Sequence, residues 1–219
     1  MNPEEVARYL QDHPQFFEEY ADLMSRVVIP HPHGGRTISI TERQMLALRD
    51  KNRQLESKLA EFMSFGEEND VIGEKMHRLG VAVIAAESFQ SAVHTLNFHL
   101  RDDFVIPLFA LRLWQPPENA AELPEFVGVS EELQTFAETL TQPYCGPTTG
   151  FETASWFGEA AEHVRSQGLI ALRHGGGTFG LMALGSEEPQ RFYSGMGTVY
   201  LQRLGEMAAA ALARTLSLT

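Results

Sequence analysis

The chain has 219 residues, 43% of them hydrophobic, and a formal net charge of −12 at pH 7 from 29 acidic and 17 basic side chains. This length predicts one main domain with its own core and one appendage. The negative charge repels phosphate backbones and anionic lipids, so we expect neither nucleic acid nor membrane as a partner. Cys145 is the one cysteine, which excludes an intramolecular disulfide and a multi-cysteine zinc site within one chain.

The amino terminus does not resemble a targeting segment. Residues 1–5 are acidic where a secretory signal would be basic. No apolar run approaches the ~20 residues needed to cross a bilayer. We therefore expect a cytoplasmic protein.

Two short helices are predicted at the front of the chain. Asn2 can cap a helix, and Pro3 suits its first position. Pro14 then interrupts this helix and opens a second one. The apolar stripe of the second helix consists of Phe16, Phe17, Tyr20, Leu23, Met24 and Val27.

Residues 29–35 contain two prolines and two glycines, which predicts a rigid turn between helices and excludes a helix or a central strand. His31 and His33 lie in this turn, and with His13 they could form a metal site. No carboxylate or cysteine stands at ligand spacing from them, so we favour ordinary loop histidines and predict no metal site.

A long helix is predicted over residues 39–83. Ser39 and Glu42 have the spacing of a capping box, which indicates where the helix starts. Asn52 falls at an a position, where a single asparagine can set the register and favour two strands. The a and d positions of the heptad are Met45, Leu48, Asn52, Leu55, Leu59 and Phe62.

This heptad favours a parallel homodimer. Lys51 takes a g position and Glu56 the following e position, so the two would face each other across such a dimer. The alternative is that the same stripe packs on the N-terminal helices of its own chain. Beyond Phe62 the apolar pattern shifts by three residues at Gly66, where we expect a hinge.

The remaining sequence predicts a mixed domain whose sheet is covered on both faces. Both strands of a glycine-linked hairpin are apolar on both sides, so each face needs cover. Helices would cover one face and the irregular segment 116–164 the other, which is where small-molecule pockets often occur. The predicted elements are a helix after Ser88, a strand at 105–115, a helix at 131–140, hairpin strands at 168–174 and 178–185, and a helix at 195–216.

The C-terminal motif resembles the ending of a GAF domain. It comprises residues 167–172, a glycine turn, residues 178–185, Phe192, and a long helix with Leu201, Leu204 and residues 208–211. The resemblance implies an α/β (α+β) fold in which an antiparallel sheet is flanked by helices and preceded by an N-terminal helical arm with a short coiled-coil-like helix. We expect residues 1–64 to form the arm and dimerisation helix, and residues 65–219 the GAF-like domain.

Motifs at the front extend the likeness over essentially the whole chain. Together they resemble the bacterial domain-of-unknown-function family 484, and they are Tyr9-Leu10, His13-Pro14, Phe16-Phe17, Pro30-His31, Gly34, Ser39, Glu42-Arg43-Gln44, Leu48-Arg49, Asn69-Asp70 and His77. GAF domains elsewhere bind cyclic nucleotides, tetrapyrroles or small metabolites, and often dimerise through flanking helices. The residue set of the cyclic-nucleotide-binding members is absent, so the resemblance assigns no cofactor.

Three classes of function follow. The leading one is a homodimeric small-molecule-binding or regulatory module; since no output domain follows in this sequence, its signal would act through a partner. The second is an adaptor with a vestigial pocket that binds another protein through the helical arm. The third is a thiol-dependent reductase using Cys145 with His163 as base, which the lack of a resolving cysteine disfavours. The candidate pocket residues are Arg112, Trp114, Tyr144, Cys145, Trp156, Phe157 and His163.

Overall fold

The computed structural model describes residues 2–31, 34–116 and 122–217. For residues 24–26 and 28–42 only the backbone is described. Contacts within the chain divide it into two units, Met1–Asn69 and Asp70–Thr219.

The first unit starts with three short helices, α1 (Pro3–Asp12), α2 (Phe16–Glu19) and α3 (Ala21–Arg26). The predicted cap of α1 is confirmed: the Asn2 side chain accepts from the Glu5 amide at 2.8 Å, and the Glu5 carboxylate accepts from the Asn2 amide at 2.9 Å. The helix predicted after Pro14 is divided at Tyr20, which ends α2 and precedes α3.

A two-stranded antiparallel hairpin follows, formed by β1 (Val28–His31) and β2 (Gly34–Ser39). The predicted rigid turn is therefore wrong for most of this segment. Pro30 lies opposite Thr37 in the hairpin. A two-stranded ribbon tolerates such a proline because each strand has an outer edge toward which the missing N–H can point. Residue His33 and the side chain of His31 lie outside the described part.

Helix α4 (Ile40–Ala85) is 46 residues long and begins directly after Ser39, as the capping pattern predicts. The side chains of the capping box, Ser39 and Glu42, lie outside the described set. The helix continues through Gly66, so the expected hinge there is wrong. A mid-helix glycine costs only about 1 kcal/mol relative to alanine, which cannot end a helix whose neighbours are good helix formers.

The second unit carries a four-stranded antiparallel sheet in the order β3-β6-β5-β4. The predicted hairpin is confirmed as β5 and β6, and the predicted helices as α5, α6 and α7. The strands are β3 (Leu108–Leu113), β4 (Tyr144–Gly146), β5 (Ser166–His174) and β6 (Gly177–Ser186), and the helices are α5 (Phe89–Asp102), α6 (Glu131–Thr139) and α7 (Val199–Leu216), with 3-10 segments at Pro124–Phe126 and Glu152–His163.

Each face of the sheet has its own apolar cluster, as expected from strands that are apolar on both sides. The helix-side cluster joins the end of α4 with α5, α7 and residues such as Leu111 and Leu172. The opposite cluster, which we call the roof side, joins α6 and the Glu152–His163 segment with Ala110 and Leu181. Strand alternation thus directs neighbouring side chains into two different cores.

Helix α7 lies unusually close to β5. A Cβ atom built on Gly205 would be 2.3 Å from Cγ2 of Ile170. Gly205 and Ile170 are both buried, so a glycine is required where the helix crosses the strand.

Arginine side chains satisfy the carbonyl groups at two helix ends. Arg214 of α7 donates to the carbonyl oxygens of Val83, Ile84 and Ala86, at 3.4, 3.3 and 2.6 Å. These carbonyls lie at the C-terminal end of α4, where intrahelical partners run out. Arg173 of β5 does the same at the end of α6, donating to carbonyls that include those of Ala137 and Glu138.

Candidate ligand-binding site

A pocket of about 430 Å³ lies beside β3, the edge strand of the sheet. Its walls come from α5, from β3, from the turn before the 3-10 helix Pro124–Phe126, and from Trp156 on the roof side. Its volume is within the range of pockets that hold small metabolites. The lining residues are Phe89, Gln90, Val93, His94, Asn97, Phe109, Ala110, Leu111, Arg112, Leu123, Pro124, Glu125 and Trp156.

Arg112 is the charged centre of this pocket. The side chain is half-buried, and the central carbon of its guanidinium lies 5.0 Å from the centroid of the Trp156 ring. Nη1 donates to the Leu111 carbonyl at 2.9 Å. Burial lowers the pKa of Arg112 from its usual value, and the nearby Glu125 carboxylate partly offsets that lowering. An arginine so placed still carries its charge at neutral pH.

The α5 wall of the pocket combines apolar and polar groups. Phe89 and Val93 are half-buried and pack against the helix-side core. Gln90, His94 and Asn97 are exposed and follow one another at i, i+4 and i+7, so they lie on one stripe of the helix. The pocket therefore offers hydrogen-bonding groups on one wall and, on another, a guanidinium in cation–π contact with an indole.

A larger groove of about 540 Å³ lies between α7, β5 and the segment after α6. The guanidinium in its wall, Arg173, already donates to carbonyl groups at the end of α6. Its other charged groups are the carboxylates of Glu138 and Glu206, the second of which accepts from Gln202 at 3.1 Å. The pocket around Arg112 is thus the better candidate, because its charged group has fewer protein partners.

Among the residues proposed from sequence, the structure brings Arg112 and Trp156 together. Phe157 is buried on the roof side, where a Cβ atom on Gly185 would approach its ring to 2.9 Å. Phe157 is therefore part of the packed roof-side cluster and lines none of the Arg112 pocket. Tyr144 belongs to an aromatic group with Phe136 and Phe151 and lines none of the Arg112 pocket.

Trp114 and His163 lie apart from this pocket. Trp114 lines a separate cavity of about 350 Å³ near His174 and Phe179. Its indole N–H is buried and has no hydrogen-bond partner within the described ranges. His163 is exposed at the end of the Glu152–His163 segment.

Cys145 lies in the helix-side core, on the opposite face of the sheet from Tyr144. It is 8% exposed, and burial raises the pKa of its thiol to about 11. A thiol with this pKa is protonated at neutral pH, and the thiolate is the reactive form. The structure thus presents Cys145 as a small buried hydrophobe.

No group of three or more metal-binding side chains is found in the part of the chain whose side chains are described. His13 contacts its own helix instead: Nδ1 lies 3.0 Å from the Tyr9 carbonyl oxygen, and the two rings stack at 4.4 Å. Across the described ranges, no helix has the length and apolar character to cross a bilayer.

Sequence reasoning missed the α5 wall of the pocket. The sequence predicts a helix after Ser88 but none of the seven candidate pocket residues lies on it. The spacing of Gln90, His94 and Asn97 was the signal available, but exposed helix faces commonly carry such residues. Phe109 also lines the pocket, although only Arg112 and Trp114 of the predicted strand were expected to do so.

Comparison with known proteins now places this architecture. A family model described as "Protein of unknown function, DUF484" matches residues 1–217. The chain belongs to this family. The DUF484 relatives include the "Uncharacterized protein YigA" of Salmonella typhimurium strain LT2, 27% identical over 217 residues, and that of Escherichia coli strain K12, 26% identical over 218 residues. Each alignment covers 95% of this chain and 90% of the relative.

The fold of this DUF484 member is GAF-like. The GAF domain of an Acinetobacter phosphoenolpyruvate-protein phosphotransferase superposes with a TM-score of 0.50 and 15% identity, covering 67% of this chain and 95% of that domain. The predicted family and fold class are confirmed: helices flank an antiparallel four-stranded sheet, and a long helix precedes the domain.

Proposed function

We propose that this protein is a small-molecule-binding regulatory module that acts as a homodimer. The pocket beside β3 carries the binding part of the proposal. It combines a half-buried guanidinium, in cation–π contact with Trp156, with a wall of apolar and polar groups from α5. Small-molecule sites commonly combine hydrophobic and aromatic side chains with a few polar groups that orient the ligand.

An exposed stripe on α4 supports the homodimer. Residues 47–71 of this helix are all exposed, although the heptad places large apolar side chains among them. A helix with an uncovered apolar stripe gains little stability alone and is stabilised when a partner covers it. The exposed fractions are 50% for Met45, 66% for Leu48, 56% for Leu55, 60% for Leu59 and 68% for Phe62.

Ligand binding is tested by native mass spectrometry of protein purified without refolding, and by thermal shift across a metabolite panel. Asn97→Trp places an indole in the pocket wall without removing a buried group. Phe98→Trp is the matched control, since Phe98 is the next residue on α5, is exposed and lines no part of the pocket. We expect binding to be retained in the control and lost in Asn97→Trp. A protein with neither bound compound nor thermal shift is not a small-molecule sensor.

The homodimer is tested by sedimentation. Leu55→Glu with Leu59→Glu should give a monomer, because charges at a and d positions cannot be buried in the interface. Ser57→Glu with Ala60→Glu places the same charges at outer positions of the heptad and should leave the dimer intact. Asn52→Leu should strengthen the association or change its order. If Asn52→Leu alters neither, this stripe is not the interface.

An adaptor is the second candidate, and the packing of the roof side favours it. Phe157 packs against Gly185 and is buried in the roof-side cluster, so its side chain takes up space that a ligand would need there. The N-terminal helices expose Tyr9, Phe17 and Tyr20 at 41–50%. An adaptor would lose partner binding on Phe17→Ala with Tyr20→Ala and keep it in Asn97→Trp. A sensor would instead keep ligand binding in the Phe17→Ala, Tyr20→Ala variant and lose it in Asn97→Trp.

Thiol chemistry is the weakest of the three. A thiol pKa of about 11 in an apolar core leaves almost no thiolate near neutral pH. His163 is exposed, whereas the Cys145 side chain is buried in the helix-side cluster. A nucleophile needs a base within hydrogen-bond reach, and this arrangement gives no support for that contact.

A further inference from the structure

Arg112 stands in the wall of the proposed pocket without a carboxylate in ion-pair contact. Of the ion pairs formed by the described side chains, none includes Arg112. Glu125, in the same wall, acts on it only at longer range. A half-buried cation that has given up water without gaining an opposite charge is energetically unfavourable, so an anion entering the pocket would stabilise it.

The hydrogen-bonding capacity of Arg112 is also largely unused. A guanidinium has five N–H donors in a planar fork. The described contacts of Arg112 are one hydrogen bond, from Nη1 to the Leu111 carbonyl, and the cation–π contact with Trp156. A cation–π contact with the ring face uses none of the N–H donors in a hydrogen bond, so most of them are left for a ligand. Two of these donors can bind one carboxylate or phosphate through parallel hydrogen bonds.

The other walls indicate what kind of anion would fit. Phe89, Val93 and Phe109 supply apolar surface, whereas His94 and Asn97 supply hydrogen-bonding groups. An inorganic ion would use none of the apolar wall. A ligand with an acidic group and a planar or apolar body would use both.

We propose that this pocket binds a small organic anion, whose carboxylate or phosphate group pairs with Arg112 and whose body lies along the α5 wall. The inference rests on the proposed binding function and names the chemical class of its ligand. Within the pocket the Arg112 guanidinium attracts an anion despite the net negative charge of the protein, and the Glu125 carboxylate in the same wall weakens that attraction without pairing with Arg112.

The test uses three probes that share one ring: benzoate, phenyl phosphate and neutral benzamide. The sequence has two tryptophans, so in a Trp114→Phe background the fluorescence of Trp156 alone reports on the pocket. We expect at least one acid to bind about tenfold or more tightly than benzamide. The net contribution of a hydrogen bond to a charged group exceeds that of a neutral one by enough to change a dissociation constant by about that factor. The stronger acid identifies the head group.

Variants separate charge from shape. Arg112→Gln should remove the preference for the acids, and Arg112→Lys should retain it in weakened form because the charge remains and the fork is lost. Arg101→Gln is the control, since Arg101 is exposed on α5, the helix that forms one wall of the pocket, but does not itself line the pocket. Melting curves confirm folding. If Arg112→Gln does not fold, the test is the preference for acids over benzamide in the parent and its weakening in Arg112→Lys.

Benzamide binding as tightly as both acids, or an acid preference that survives Arg112→Gln, would overturn the proposal. Failure of the ligand class and failure of the function give different results. If metabolites bind and Asn97→Trp removes that binding while acids show no advantage, the binding function stands and the anion class is wrong. If no probe and no metabolite binds, both are wrong.

Discussion

Substituting alanine for Gly205 tests how closely α7 packs on the sheet. The added methyl group would lie 2.3 Å from Cγ2 of Ile170, more than 1 Å inside an ordinary van der Waals contact. Ile170 is 3% exposed and β-branched, so it has little freedom to rotate away. The helix must therefore shift from the strand, and overpacking of this kind costs about 1–3 kcal/mol.

Gly73→Ala is the matched control. Gly73 also lies inside a helix, α4, but a Cβ atom there would meet nothing within 4 Å. Both substitutions gain helix propensity of roughly 0.5–1 kcal/mol, so their difference isolates the clash. We expect Gly73→Ala to stabilise the protein by about that amount, and the two variants to differ in free energy of unfolding by about 1–3 kcal/mol.

Urea denaturation followed by circular dichroism measures both variants against the parent at equal protein concentration, because dimerisation would make the midpoint concentration-dependent. Equal slopes with respect to denaturant would show that the unfolded reference is unchanged. If Gly205→Ala is as stable as Gly73→Ala, the close crossing of α7 over β5 is not a packing constraint, and the reasoning from the 2.3 Å approach fails.

Three further predictions concern buried charge and helix ends. Because burial raises the pKa of Cys145 to about 11, the stability gained by burying its protonated thiol is complete below pH 9 and is lost as pH rises toward 11. Cys145→Ala should therefore flatten the dependence of the free energy of unfolding on pH in that interval. Iodoacetamide should label the native thiol at pH 8 only as fast as the protein opens. A hydrogen bond from His99 and the Arg78 guanidinium lower the pKa of Asp103, so Asp103→Asn should cost about 0.5–1 kcal/mol at pH 7. This cost should shrink as pH falls below about 4, through the lowered pKa of the native state. An unchanged difference at pH 3 would contradict the assignment. Arg214→Met keeps an unbranched apolar stem but removes the guanidinium donors, and it should lower the free energy of unfolding by about 1.5–3 kcal/mol in urea denaturation. Arg203→Met, at an exposed position of the same helix, should change it by less than about 0.5 kcal/mol.

The secondary structure could largely be predicted from the sequence because periodicity and turn residues agree with the tertiary fold there. The paired apolar strands around residues 175–177 predicted β5 and β6, and the capping pattern at Ser39 predicted where α4 begins. The prediction was wrong at two positions where a single glycine or proline was taken to interrupt an element that its neighbours stabilise. Gly66 alone could not break a long helix, and Pro30 could not prevent a hairpin whose strands both have a free edge.

The site was predicted less completely, for a geometric reason. Arg112 lies on the predicted strand and Trp156 in the segment predicted to cover the sheet, and the structure brings these two together. Tyr144 and Cys145 were both predicted to line the pocket, but adjacent residues of a strand point to opposite faces. The α5 wall was missed because this helix packs on the core and also lines the pocket. A hydrophobic pattern indicates the residues that face the core, but not the polar residues that line a pocket.

The contact between Arg214 and the end of α4 also sets an order of events during synthesis. Ile84 and Arg214 are 130 positions apart, so a ribosome adding about 5–20 residues per second needs roughly 7–26 s to supply the arginine after the helix end has been made. Throughout that interval the nascent α4 carries terminal carbonyl groups and apolar side chains, among them Leu79 and Val83, whose partners on α7 do not yet exist. Folding of this half of the protein can therefore be completed only late in translation, and until then the end of α4 stays open to chaperones and to premature pairing with another nascent chain.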